Sequence, residues 1–215
     1  VEGYPKGKLM AFTIREIITY REKIQRSDFI CSLYPISNQE EMRAALSKHQ
    51  KDNATATHNC YAYILGSDQQ VQYYSDAGEP SGTAGKPMLN ALLRGELTNV
   101  LAVVTRHFGG IKLGVKGLIE AYGSVVAEAI LKAERQQFIE YIKVIVNCDY
   151  NINETVVRYC RDNNALIEDL VYADSVTISI KYPQTDFDGL RAFLDGLKMH
   201  SRLDYTSPEM TPEEI

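Results

Sequence analysis

The chain has 215 residues, 45% of them hydrophobic and 24% charged, with a net charge of −5, which is ordinary for a soluble globular protein of one large or two small domains. Its longest apolar runs, such as residues 100–104, are far too short to cross a bilayer, and no secretory leader pattern opens it. A membrane is therefore not an expected partner, and the expected location is the cytoplasm.

Charge is unevenly spread. Residues 1–135 hold 16 Lys and Arg against 14 Asp and Glu, a balance of +2, whereas residues 136–215 hold 7 against 14, a balance of −7. This asymmetry points to two domains with different surfaces. The acidic half is a poor candidate for unaided nucleic-acid binding, because phosphate contacts need cations. The four cysteines, Cys31, Cys60, Cys148 and Cys160, form no C-x-x-C pair and fit no zinc spacing, so they read as buried, reduced thiols.

In chain order, residues 28–34 read as a strand. Ser37 and Glu40 form a capping box before a helix with Met42, Ala45, Leu46 and His49 at helical spacing. Residues 59–65 form a second strand. Pro87 suits the first turn of a helix running to Arg94. Residues 100–105 are a continuously apolar strand, the pattern of a sheet covered on both faces. The longest helix is expected over 118–135, with Tyr122, Val125, Val126, Ala129 and Ile130 facing inward.

The pattern restarts near residue 136. A strand over 141–148 precedes a helix capped by Asn153 and stopped near Asn163 and Asn164. Strands over 166–172 and 176–182 follow. A helix capped by Thr185 and Asp188 and a short strand at 202–205 complete the order β-α-β-β-α-β, a ferredoxin-like arrangement. Expected boundaries are a first domain over 1–137, a second over 138–206 and a disordered tail over 207–215. The fold class is α+β.

The chemistry concentrates in two glycine-rich segments. Nine of the 14 glycines lie between Gly78 and Gly123. Gly78, Gly82 and Gly85 precede the helix near Pro87, and Gly109, Gly110, Gly114 and Gly117 link the strand at 100–105 to the longest helix. A Walker A loop and a GxGxxG fingerprint are both excluded, since Pro80 stands where each needs glycine. Helix starts present free amides and a positive dipole end, so each loop is a candidate anion site. Lys86, Arg106, Lys112 and Lys116 are the cations assigned to it. The competing reading is that the glycines permit tight turns while the lysines are merely solvated. His58, Asp76 and Glu79 would supply acid–base or metal chemistry if they converged, but no metal-ligand spacing joins them. Glu79 and Thr83 also read as loop-fixing groups. No metal and no cofactor is expected, and catalysis is the least favoured reading.

These segments resemble the YigZ/IMPACT family. The carrying residues are GEPSGTAGKP at 78–87, VVTR at 103–106, FGGIKLG at 108–114, Gly117-Leu118 and AYG at 121–123. Upstream pieces are ATHNCYAY at 56–63 and SDF at 27–29. Departures are Ser75 and Ala77 around Asp76, Asp28 and Glu120 where basic residues are usual, His107 for Tyr, and Lys116 for Gly. The resemblance implies a first domain like the second domain of the fifth small-subunit ribosomal protein. It implies a second domain like the fifth domain of elongation factor G. It also implies contact with RNA or the ribosome and a role in translation regulation, with a protein-only interaction module as the alternative. Asp28 and Glu120 each remove a positive charge from the expected basic surface.

Overall fold

A computed structural model describes residues 11–206, and the tail expected at 207–215 lies outside the described residues. The chain divides into two compact units between Phe138 and Ile139.

The first unit runs β1 (Phe12–Ile14), β2 (Ile18–Ile24), β3 (Ser27–Pro35), α1 (Gln39–Asp52), β4 (His58–Leu65), β5 (Val71–Ser75), α2 (Gly85–Arg94), β6 (Val100–His107), α3 (Gly114–Lys132) and β7 (Arg135–Gln137). Five strands form an antiparallel sheet in the order β2-β3-β6-β4-β5, and β1 pairs separately with β7. Alternation along the strands sends Phe29, Cys31, Leu33, Cys60, Ala62 and Val104 to one face, where α2 and α3 pack with Met88, Leu92, Tyr122 and Val126. Tyr63, Leu65, Leu101 and Val103 point to the other face, under Met42 of α1. The apolar run at β6 is thus buried on both sides, as its sequence requires.

Several boundaries differ from expectation. The cap of α1 is Asn38, not Ser37. Asn38 Oδ1 accepts the Glu41 N–H at 2.9 Å, and Glu41 Oε2 accepts the Ser37 N–H at 2.8 Å, so the reciprocal box is shifted by one residue. Helix α3 begins at Gly114, four residues before the expected start, so Gly114 and Gly117 are helical rather than linker. Gly85 likewise opens α2.

The second unit runs β8 (Tyr141–Cys148), α4 (Asn153–Asp162), β9 (Leu166–Tyr172), β10 (Val176–Pro183), α5 (Phe187–Lys198) and β11 (Leu203–Thr206). Its antiparallel order, β11-β8-β10-β9, is that of a ferredoxin-like fold. The core gathers Val144, Val146, Val156, Ile178, Ile180, Leu190 and Leu194. Two caps are corrected here. Asn153 is the first helical residue, with Ile152 at the cap position. Thr185 lies in a short 3-10 turn, its hydroxyl donating to Asp186 rather than capping α5.

Candidate functional site

The first glycine-rich loop closes on itself. Leaving β5, Asp76 turns its carboxylate to the start of α2 and accepts the N–H groups of Gly82, Ala84 and Gly85 at 2.8, 2.9 and 2.8 Å. The amides that a phosphate would need are already satisfied by the chain's own anion. The Thr83 hydroxyl fixes the same turn by donating to the Pro80 carbonyl at 2.6 Å. Gly85 is required for close approach, since a Cβ there would lie 2.8 Å from the Ser75 nitrogen. Ala77 adopts a left-handed φ of 42°, a conformation that favours glycine.

Below this loop lies a buried polar centre. Glu79 and Arg106 have side chains 4% and 6% exposed, and Arg106 Nη1 meets Glu79 Oε1 at 2.5 Å. The same oxygen accepts the Tyr122 hydroxyl at 2.9 Å. Burial drives the Tyr122 phenol far above its ordinary range, so it keeps its proton, which it donates to Glu79 while its oxygen accepts from the Cys60 thiol. Cys60, 3.4 Å from that hydroxyl, has its thiol pushed up to about 12 by burial. Arg106 Nη2 donates to Ser27 Oγ at 3.3 Å, and its guanidinium lies 5.3 Å from the Phe29 ring and 5.4 Å from the Phe108 ring. The expectation that Arg106 is a surface cation is therefore corrected: it is enclosed and neutralised.

His58 borders the centre. Its Nδ1 donates to the Ala77 carbonyl at 3.0 Å, and its Nε2 lies 3.9 Å from Glu79 Oε1. His58 and Glu79 thus lie together, but the Asp76 carboxylate does not join them, because it is taken by the start of α2. Among the described residues no group of three His, Cys, Asp or Glu side chains is placed to hold a metal ion.

The second loop leaves β6 with the Phe108 N–H donating to Thr57 Oγ1 at 3.1 Å. Gly109 permits the chain to pass the Arg26 carbonyl, where a Cβ would sit only 1.9 Å away. Gly110 and Gly114 take left-handed φ values of 87° and 73°. In contrast to α2, no side chain caps the first turn of α3.

The two loops meet. A hollow of about 450 Å³ is lined by Glu79 and Pro80 from the first loop and by Phe108, Lys112 and Leu113 from the second. On the other flank of α3, a hollow of about 350 Å³ is lined by Lys86, Asn90, Arg94 and Ile119. Lys86, Lys112 and Lys116 are all exposed, and Lys116 Nζ lies 3.8 Å from Glu120 Oε1. Asp28 does not intrude on this surface as a free charge, because Arg21 on β2 pairs with it and holds its carboxyl below the ordinary range. Sequence reasoning left Phe108, Arg94 and Thr57 out of the site. Phe108, 46% exposed in a glycine-rich loop, was the readable signal.

The sequence profile of the Impact N-terminal domain matches residues 25–130, and a domain of unknown function, DUF1949, matches residues 146–196. The chain is 37% identical over 167 residues to the IMPACT family member YvyE of Bacillus subtilis (strain 168), covering 77% of this chain and 76% of that protein. It is 36% identical over 136 residues to the IMPACT family member YigZ of Escherichia coli (strain K12), covering 62% and 67%. A solved structure described as that of a hypothetical protein superposes with a TM-score of 0.64 at 28% identity, over 94% of this chain and 98% of that one.

Proposed function

The chain belongs to the IMPACT family, and we propose that it is an RNA- or ribosome-binding regulator of translation acting in the cytoplasm. The contact surface is built around the first turns of α3. One observation carries this reading: the two loops converge on α3, where exposed Lys112 lines one hollow with exposed Phe108, Lys86 and Arg94 line a second with Ile119, and Lys116 is exposed on the first turn of the helix. Cations supply the phosphate contacts that dominate nucleic-acid affinity, and an exposed ring offers a stacking platform for an unpaired base. Arg106 and the amides of the first loop are not part of the binding set, since Glu79 and Asp76 satisfy them. The four cysteines are free and buried, which supports a reducing compartment.

A second reading has its own support. Val115 and Ile119 are exposed one turn apart on α3, and Ile111 is exposed in the loop before it, an apolar surface that a protein partner would cover. The test is fluorescence anisotropy with a single-stranded RNA across a salt series, comparing wild type with Lys112→Glu/Lys116→Glu. The salt slope is expected to fall by about 0.7 for each phosphate contact removed, about 1.4 for the pair. Unchanged affinity and slope remove this surface from the interface. No RNA bound at low salt transfers the proposal to the protein partner.

A further inference from the structure

We propose that the hollow between the two loops is a pocket for one unpaired nucleotide of single-stranded RNA, base inward and phosphate at Lys112. This rests on the RNA reading of the α3 surface and adds the chemistry that the surface selects. At about 450 Å³ the hollow lies within the roughly 300–1,000 Å³ of small-molecule sites. It has room for a base and its ribose.

The walls and the floor differ in character. Pro80, Phe108, Leu113, Val115 and Leu118 make the walls apolar, as the faces of a base require. The polar groups converge at one end. His58 lines this end, its Nδ1 proton given to the Ala77 carbonyl and its Nε2 left without a hydrogen-bond partner among the described residues. Glu79 adds a carboxylate. Arg106 stands behind this end, but it is paired with Glu79 and its Nε is enclosed, so it braces the carboxylate rather than meeting a base. An imidazole nitrogen and a carboxylate at one end of an apolar slot match the hydrogen-bonding edge of a nucleobase better than they match an aliphatic or purely anionic ligand.

The mouth suits a phosphate. Lys112 is exposed there, and the first turn of α3, from Gly114, lines the opening without a side-chain cap. The comparable turn of α2 is filled by Asp76. A base held in a duplex cannot enter a slot of this size, so the pocket discriminates single-stranded from double-stranded RNA.

The experiment is a titration of adenosine and uridine 5′-monophosphates into isotope-labelled wild-type protein, read by NMR. A parallel set of affinities is measured for single-stranded and duplex RNA of one length. The plugging variant is Val115→Trp, chosen because Val115 is 61% exposed and outside the buried core. Shifts at His58, Phe108, Leu113 and Leu118 are expected in wild type and are lost in Val115→Trp. Single-stranded affinity is expected to fall about tenfold in the variant, the scale of one stacked base, with the salt slope and duplex binding unchanged. Salt-dependent RNA binding with no nucleotide shifts in wild type and full affinity in Val115→Trp overturns the pocket and leaves the surface reading standing. Wild type that binds neither RNA nor nucleotide overturns both. The wild-type titration needs no variant, so misfolding of Val115→Trp does not blunt the test.

Discussion

Replacing Glu79 by Gln tests whether Arg106 is an internal brace or a surface cation. The substitution keeps shape and keeps an oxygen for the Tyr122 hydroxyl, but removes the charge opposite a guanidinium that is 6% exposed. Coulomb attraction between unit charges near 4 Å is about 4 kcal/mol at an effective dielectric of 20. Removing one partner of a buried pair costs about 3–5 kcal/mol, because the remaining charge stays desolvated. At roughly 3 °C per kcal/mol for a unit of this size, the melting temperature falls by on the order of 10 °C. Calorimetry is the suitable assay, since the two units can unfold separately, and only the transition of the first is expected to move. Glu79→Gln/Arg106→Gln is expected to be more stable than Glu79→Gln alone, as it removes the orphaned charge. A loss under about 1 kcal/mol, the level of a solvated pair, would refute the reasoning and return Arg106 to the list of free cations.

Two further outcomes follow from the same geometry. Asp76→Ala removes the acceptor of three amides and should cost about 2 kcal/mol; sulfate should then raise the melting temperature of the variant but not of wild type, because the emptied turn becomes an anion site. His49 is buried between the Tyr34 hydroxyl and Thr105 Oγ1, each at 2.7 Å, and burial lowers its pKa from 6.5. The unfolded chain therefore takes up a proton that the folded chain refuses. Stability should decline as pH drops below about 6.5 and level off below the folded value, a dependence that urea titrations of His49→Gln should show flattened.

What was legible in the sequence follows how strongly local pattern and tertiary burial agree. The run at 100–104 is apolar at every position and could only be a covered strand, and the clean alternation at 176–182 fixed one face of β10. Strand β2, ITYREKI, carries charges on an edge and offered no apolar run, so it passed unread; β5, exposed along most of its length, did too. The start of α3 was placed late because Gly114 and Gly117 look like breakers. In place, Gly114 opens the helix at a left-handed φ, and Gly117 sits where a Cβ would come within 3.0 Å of the Leu113 Cβ. At the site, the residue types were visible but their partners were not. Glu79 and Arg106 are 27 positions apart, and only β6 and the first loop folding together bring them into contact.

That pairing separates two kinds of glycine-rich loop that look alike on paper. In the first, every group that resembled a ligand holder is answered from within: Asp76 fills the amides, Glu79 fills Arg106, and Thr83 closes on Pro80. Its sequence is constrained because the loop must close, so substitutions there act through stability. In the second loop the glycines still serve the backbone, but Lys112, Lys116, the Phe108 ring and the uncapped turn of α3 face outward. Changes at those side chains leave the core intact and act through whatever the surface meets. The strongest sequence signature of the chain, at 78–87, is therefore chiefly a signature of architecture, and under the proposed function the cations and the ring come from the quieter stretch from Phe108 to Lys116.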